Sequence, residues 1–118
     1  MFVKHSNLVP AFPVENGTGV SKSVLISADE APHFAMRRFT IEAGGFMPLH
    51  TNQVEHEQLV LQGQAQVTIA DEIYDVNAGD VLLIPAGVPH QYVNTGDGPF
   101  SFLCLVPNLP DVTRLIEK

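Results

Sequence analysis

The stretch Gly44–Gly63, GGFMPLHTNQVEHEQLVLQG, decides how this chain is to be read. His50, Asn52 and His56 stand at even separations, so on an extended strand they share one face, and Gly44 and Gly63 read as the turns that bracket them. A second stretch, Gly79–Asn94, GDVLLIPAGVPHQYVN, supplies His90 after a Pro-x-Gly turn. Imidazoles carried on two strand segments between glycine turns are a sound way to build a metal site inside a barrel.

The second stretch is similar to the second motif of the cupin family, G-x5-P-x-G-x2-H-x3-N, at Gly79, Pro85, Gly87, His90 and Asn94. The first cupin motif, G-x5-H-x-H-x3,4-E-x6-G, is met at Gly44, His50 and Gly63. Asn52 stands where that motif has its second histidine and His56 where it has glutamate. In this the chain resembles the small single-domain cupins that replace the glutamate by histidine and hold a divalent metal, often manganese, through histidines alone; Asn52 departs from that subset. The likeness extends outward through Val24-Leu25-Ile26, Ala31-Pro32, Met36-Arg37 and Phe102-Leu103-Cys104-Leu105. The resemblance implies an all-β fold, a double-stranded antiparallel β-barrel or jelly roll, over residues 20–107. It also implies that residues 1–19 form an arm, which in cupins of this size commonly adds a strand to a neighbouring subunit. A homodimer is therefore expected, with residues 108–118 as a tail.

Size and composition bound the same answer. A chain of 118 residues is one domain, able to bury about 60–70% of its unfolded surface. Nine glycines, nine prolines and 45% hydrophobic residues suit a turn-rich β protein, and no apolar run approaches a membrane span. A net charge of −7 without a Lys/Arg cluster argues against nucleic acid and anionic membranes as partners, since both demand a basic surface. Cys104 is the single cysteine, and Met1–Ser6 begins no signal peptide, so a cytoplasmic setting is expected.

Strands are expected over Val20–Ser27, Phe34–Glu42 and Phe100–Val106. Residues 64–76 read as a hairpin about Ala70-Asp71-Glu72, placed far from the site, and Val81–Ile84 as a strand buried on both faces. Asp111 is expected to cap a short helix striped by Val112, Leu115 and Ile116.

His50, His56 and His90 are the candidate metal ligands. Glu57 competes with His56 if a bulge shifts the strand, and Asn52 is a weaker ligand or a partner to bound water. Three neutral donors leave the ion its full charge and open positions, and they suit manganese, iron, zinc, nickel or copper. Gln58 shares the His56 face. Tyr92 shares that of His90, either as a proton donor or as a packed ring, and Phe102, Cys104 and Val106 are expected to wall the pocket. Of the adjacent Arg37 and Arg38 only one can face inward. Arg37 is favoured, either to hold a substrate carboxylate or to pair with a surface acid, while His5 and His33 read as surface residues. The functional expectation is a metal-dependent enzyme, oxidoreductase or dioxygenase-like, acting on a small organic molecule. The alternatives are a non-catalytic sensing module and, least favoured, a metal-free scaffold that would strand three histidines in an apolar barrel.

Overall fold

A computed structural model describes residues 1–117. A 3-10 turn, Ser6–Leu8, precedes ten strands: β1 Phe12–Pro13, β2 Thr18–Ile26, β3 Phe34–Thr51, β4 His56–Gln62, β5 Gln64–Ile69, β6 Glu72–Asn77, β7 Val81–Ile84, β8 His90–Asn94, β9 Phe100–Pro107 and β10 Arg114–Leu115. All pairings are antiparallel. The strands form one curled sheet in the order β6-β5-β8-β3-β9-β4-β7, with β2 and β10 also on β3 and β1 on β2, the double-stranded jelly-roll barrel. Among the described residues no helix is long and apolar enough to cross a membrane.

The 18-residue β3 joins the two layers. Its first half, Phe34–Ile41, runs between β2 and β9, and its second half pairs with β8 through Phe46, Met47 and His50. Gly44 therefore does not end a strand as expected. It adopts φ 80° inside β3, where the chain leaves one set of partners for the next, and a left-handed residue lets the strand bend without breaking. Gly63 does mark a turn: its φ is 82°, and a Cβ there would strike the Pro99 carbonyl.

The interior is filled from both layers by Phe39, Ile41, Val60, Val67, Tyr92, Phe100, Phe102 and Cys104, all buried. Phe102 is the hub, stacked on Phe39 at 5.4 Å and on Tyr92 at 5.0 Å between centroids. Asn94 ties the layers, donating from Nδ2 to the carbonyls of Ile41 at 2.8 Å and Gly98 at 2.9 Å while its Oδ1 accepts from Gly96 N at 2.9 Å. A buried amide is tolerable because its donors and acceptor are used.

Three local expectations are overturned. Val81–Ile84 is buried on one face only, with Val81 79% and Leu83 58% exposed, because among the described residues no element covers the outside of β7. The β5–β6 hairpin does not lie far from the site: Ile69 pairs with His90 and Ala70 N donates to Pro89 O. Ala70 sits at φ 55°, the left-handed geometry that two-residue hairpins use. Residues 114–115 form β10, not a helix, because pairing with Thr51 and His50 and the Ile116 N to Leu49 O bond outweigh the helical spacing of the apolar residues. Asp111 accordingly caps nothing and turns toward the site. The arm lies along its own barrel, β1 on β2, and Arg38 anchors it by donating to Ser6 Oγ, Ser6 O and Asn7 Oδ1.

Candidate functional site

One end of the barrel holds a cavity of about 130 Å³ lined by His50, Asn52, His56, Gln58, His90 and Tyr92, with Arg37, Lys22, Phe39, Met47 and Phe102 along its walls. His50 comes from β3 and His56 from β4, so the even spacing that suggested one strand actually spans two strands and the loop 52–55. His90 is brought beside His50 because the two are register partners across β3 and β8. The two motif stretches are also joined by backbone, Gly87 N donating to Asn52 O at 2.8 Å.

Tautomers follow from the acceptors. His50 Nδ1 lies 2.7 Å from Pro48 O, and His90 Nδ1 lies 2.9 Å from Val88 O. A carbonyl only accepts, so each Nδ1 carries the proton and each Nε2 keeps its lone pair. His56 has no such carbonyl. Its Nδ1 faces the Cys104 sulfur at 3.6 Å.

Among the described residues four buried side-chain polar atoms find no partner: His56 Nε2, His90 Nε2, Asn52 Oδ1 and Arg37 Nε. All four residues line the one cavity. Buried polar atoms left unsatisfied cost free energy, so a cavity that gathers them is shaped for something that satisfies them. Neutral imidazole lone pairs with outward N–H groups fixed behind them are what a divalent transition metal takes. The donor set fits such an ion in its chemistry. The ring centroids are 4.2 Å apart for His50–His90 and 5.8 Å for His56–His90. Among the described residues no three His, Cys, Asp or Glu donors already stand close enough to enclose an ion, so the rings converge without forming a closed shell.

Burial, then the charge of Arg37, lowers the His56 pKa to about 4. Burial, then neighbouring His50, lowers that of His90 to about 4, and burial lowers that of His50. All three rings are neutral near pH 7, as ligands must be. These folded-state values lie below the ordinary 6.5, so the folded protein holds fewer protons than the unfolded chain between the two. The contribution of His56 and His90 to stability is complete above pH 6.5 and is lost as pH falls toward 4, up to about 3 kcal/mol for each of the two. Denaturant melts of chelator-treated protein at pH 7.5 and 4.5 check this, with the lower pH expected to be destabilising.

Gln58 and Tyr92 bind reciprocally, Nε2 donating to the hydroxyl at 2.8 Å and the hydroxyl donating to Oε1 at 3.0 Å. Burial pushes the phenol well above its ordinary pKa, so Tyr92 is a fixed, neutral group rather than a ready acid. Arg37 faces the cavity and donates to Cys104 Sγ at 3.2 Å. Cys104 thus stands behind the wall, between Arg37 and His56, and Val106, expected in the wall, is not among the residues lining the cavity. The inward parity of β9 carries only Phe102 as far as the open space. Glu57 points outward and is exposed, since no bulge intervenes between His56 and Gln58. His5 and His33 are exposed.

Among the lining residues that went unforeseen are Lys22, Asp111 and Thr113. Lys22 alternates with Val20 and Val24, so a charge at an apolar position was the available signal. Asp111 and Thr113 gave none. They reach back about sixty residues to accept from Asn52 Nδ2 at 3.1 and 2.9 Å, which turns the Asn52 oxygen, not its nitrogen, free.

A family model described as the cupin domain matches residues 37–106. The chain belongs to the cupin family. Among solved structures it is similar to the polyketide cyclase RemF from Streptomyces resistomycificus, at TM-score 0.91 and 27% identity over 100% of this chain and 87% of that one. Among sequences it is 32% identical over 96 residues to germin-like protein subfamily 3 member 3 of Arabidopsis thaliana, covering 76% of this chain and 39% of that protein. It is 44% identical over 50 residues to quercetin 2,3-dioxygenase of Bacillus subtilis, covering 42% of this chain and 15% of that protein. This cupin thus spans well under half of either of those two relatives.

Proposed function

We propose that this cupin is a metal-dependent enzyme acting on a small organic molecule that carries a carbonyl or enol oxygen. The observation that carries the reading is the convergence of His56 Nε2, His90 Nε2 and Asn52 Oδ1, buried and unpartnered, on one cavity beside His50. His50, His56 and His90 would hold one divalent transition metal, whose charge would polarise a substrate oxygen. Asn52 supplies a neutral acceptor held in place by Asp111 and Thr113, and the Gln58–Tyr92 pair keeps the adjoining wall rigid. Phe39, Met47 and Phe102 exclude water from the reacting molecule.

Similarity over the whole chain to a polyketide cyclase supports ring closure on an enolisable substrate. The shorter likeness to a quercetin dioxygenase supports a second reading, oxidation by dioxygen. Protein reconstituted with manganese, iron, nickel, copper or zinc and offered small poly-carbonyl and phenolic compounds separates them. A product equal in mass to the substrate, or lighter by one water, without oxygen uptake fits cyclisation; oxygen uptake fits the dioxygenase-like reaction. Turnover that survives both chelation and His56→Ala would overturn either.

We also infer that the protein works as a homodimer. Leu59, Val81 and Leu83 are exposed and, with Leu103 and Leu105, line an apolar groove on the outside of β4, β7 and β9, which a second copy would cover. Wild-type protein is expected to sediment as a dimer and Leu83→Asp as a monomer; a monomeric wild type at tens of micromolar would contradict this.

A further inference from the structure

The acidic chain carries −7 overall and six Lys and Arg residues, yet two of those six, Arg37 and Lys22, line the same cavity. Neither has a carboxylate partner: among the described residues the one ion pair is Lys4–Glu30, elsewhere on the surface. The lone carboxylate lining the cavity, Asp111, is engaged by Asn52 Nδ2 and Gln53 N. Arg37 is held from one side by the sulfur of Cys104 and lies over the Phe39 ring at 5.1 Å, and its Nε is buried without a partner. Lys22 sits on β2 as the register partner of Phe39 of β3, the residue whose ring the guanidinium overlies. Burial and the charge of Arg37 both lower the Lys22 pKa, and no acid offsets them.

Two unneutralised cations at the wall of one pocket repel one another and lose part of their hydration, a cost that an anion entering between them removes. Val14, Met47, Phe102 and Leu115 supply apolar wall to the same cavity. We propose that Arg37 and Lys22 form an anion seat and that the substrate of this cupin is an organic carboxylate, its charged end on this pair and its body directed at the three histidines. The inference rests on the proposed function for the claim that a substrate enters this cavity; it adds the substrate's charge and orientation. Carboxylate is favoured over phosphate because the seat is one guanidinium edge and one ammonium in an apolar cleft, without the run of backbone N–H groups that phosphate sites use.

The test is calorimetric titration of acetate and benzoate, each against its neutral amide, acetamide and benzamide, into both chelator-treated and metal-loaded wild-type protein. At least one carboxylate is expected to bind the chelated protein and its amide not to. Arg37→Met is expected to weaken that binding about 10- to 100-fold and Lys22→Gln about 3- to 10-fold, with Lys22→Gln folding normally because its side chain is only half-buried. Arg37→Lys, which keeps a charge but loses the fork, should fall between wild type and Arg37→Met. Binding of neither carboxylate would overturn the proposal. So would equal binding of amide and acid, tighter binding of inorganic phosphate, or carboxylate binding that needs metal and ignores both substitutions. Failure of the metal reading alone would leave binding to the chelated protein intact.

Discussion

Phe102→Ala is expected to cost about 3–5 kcal/mol. Phe102 is 3% exposed and touches three other rings, stacked on Phe39 and Tyr92 and tilted against Phe100 at 5.6 Å. Its backbone pairs with Phe39 on one side and Val60 on the other, so the layers have little freedom to collapse into the void. Because domains of this size are stable by only about 5–15 kcal/mol, the melting temperature should fall by about 10–20 °C. Phe102→Leu, which conserves most of the volume, should cost about 1.5 kcal/mol or less. Denaturant melts of the two variants beside wild type decide the matter; a cost below about 1 kcal/mol for Phe102→Ala would mean the cluster is not packed as described. The same ring walls the cavity, so Phe102→Ala should also loosen ligand binding while leaving the metal in place.

His56→Ala is expected to take the protein from about one divalent ion per chain to less than about a tenth, because a three-donor site cannot spare a donor. Glu57→Ala should leave the metal content unchanged, since Glu57 lies on the exposed face of β4 while His56 and Gln58 are buried on the other. Cys104→Ala should weaken the metal about 10- to 100-fold without abolishing it, because the sulfur is what His56 Nδ1 faces. Elemental analysis of the three variants after dialysis reads all of these results. Metal kept in His56→Ala and lost in Glu57→Ala would reverse the ligand assignment.

Much of the barrel could be read from the sequence because its signals are local. Glycines with left-handed backbone mark Gly63, Gly79 and Gly87, and two-residue alternation places Gln58 with His56 and Tyr92 with His90. Parity also separated Arg37 from Arg38, though not which of the two turns inward; that depends on which face of the curled sheet encloses the cavity, the N-terminal arm held by Arg38 lying on the other. What the sequence hid is long-range. β10 was misread because Leu115 and Ile116 suit a helix stripe as well as a strand, and only the open edge of β3 beside His50 decides between them. Asp111 and Thr113 enter the site by the same closure. The Val81–Ile84 run looked buried on both sides because exposed and core apolar residues look alike in the sequence. Gly44 misled in the opposite direction, since a bend inside an 18-residue strand uses the same backbone as a turn that ends one.

Three imidazoles converge on one cavity, and the function proposed for this cupin requires that they hold a metal. Elemental analysis of untagged wild-type protein, as purified and after reconstitution, tests it most directly, with chelator-treated protein as the blank. About one manganese, iron, zinc, nickel or copper ion per chain, with a melting temperature that rises on loading, is the expected result. No metal retained in either preparation, and no change in melting temperature on adding any of these ions, would contradict it.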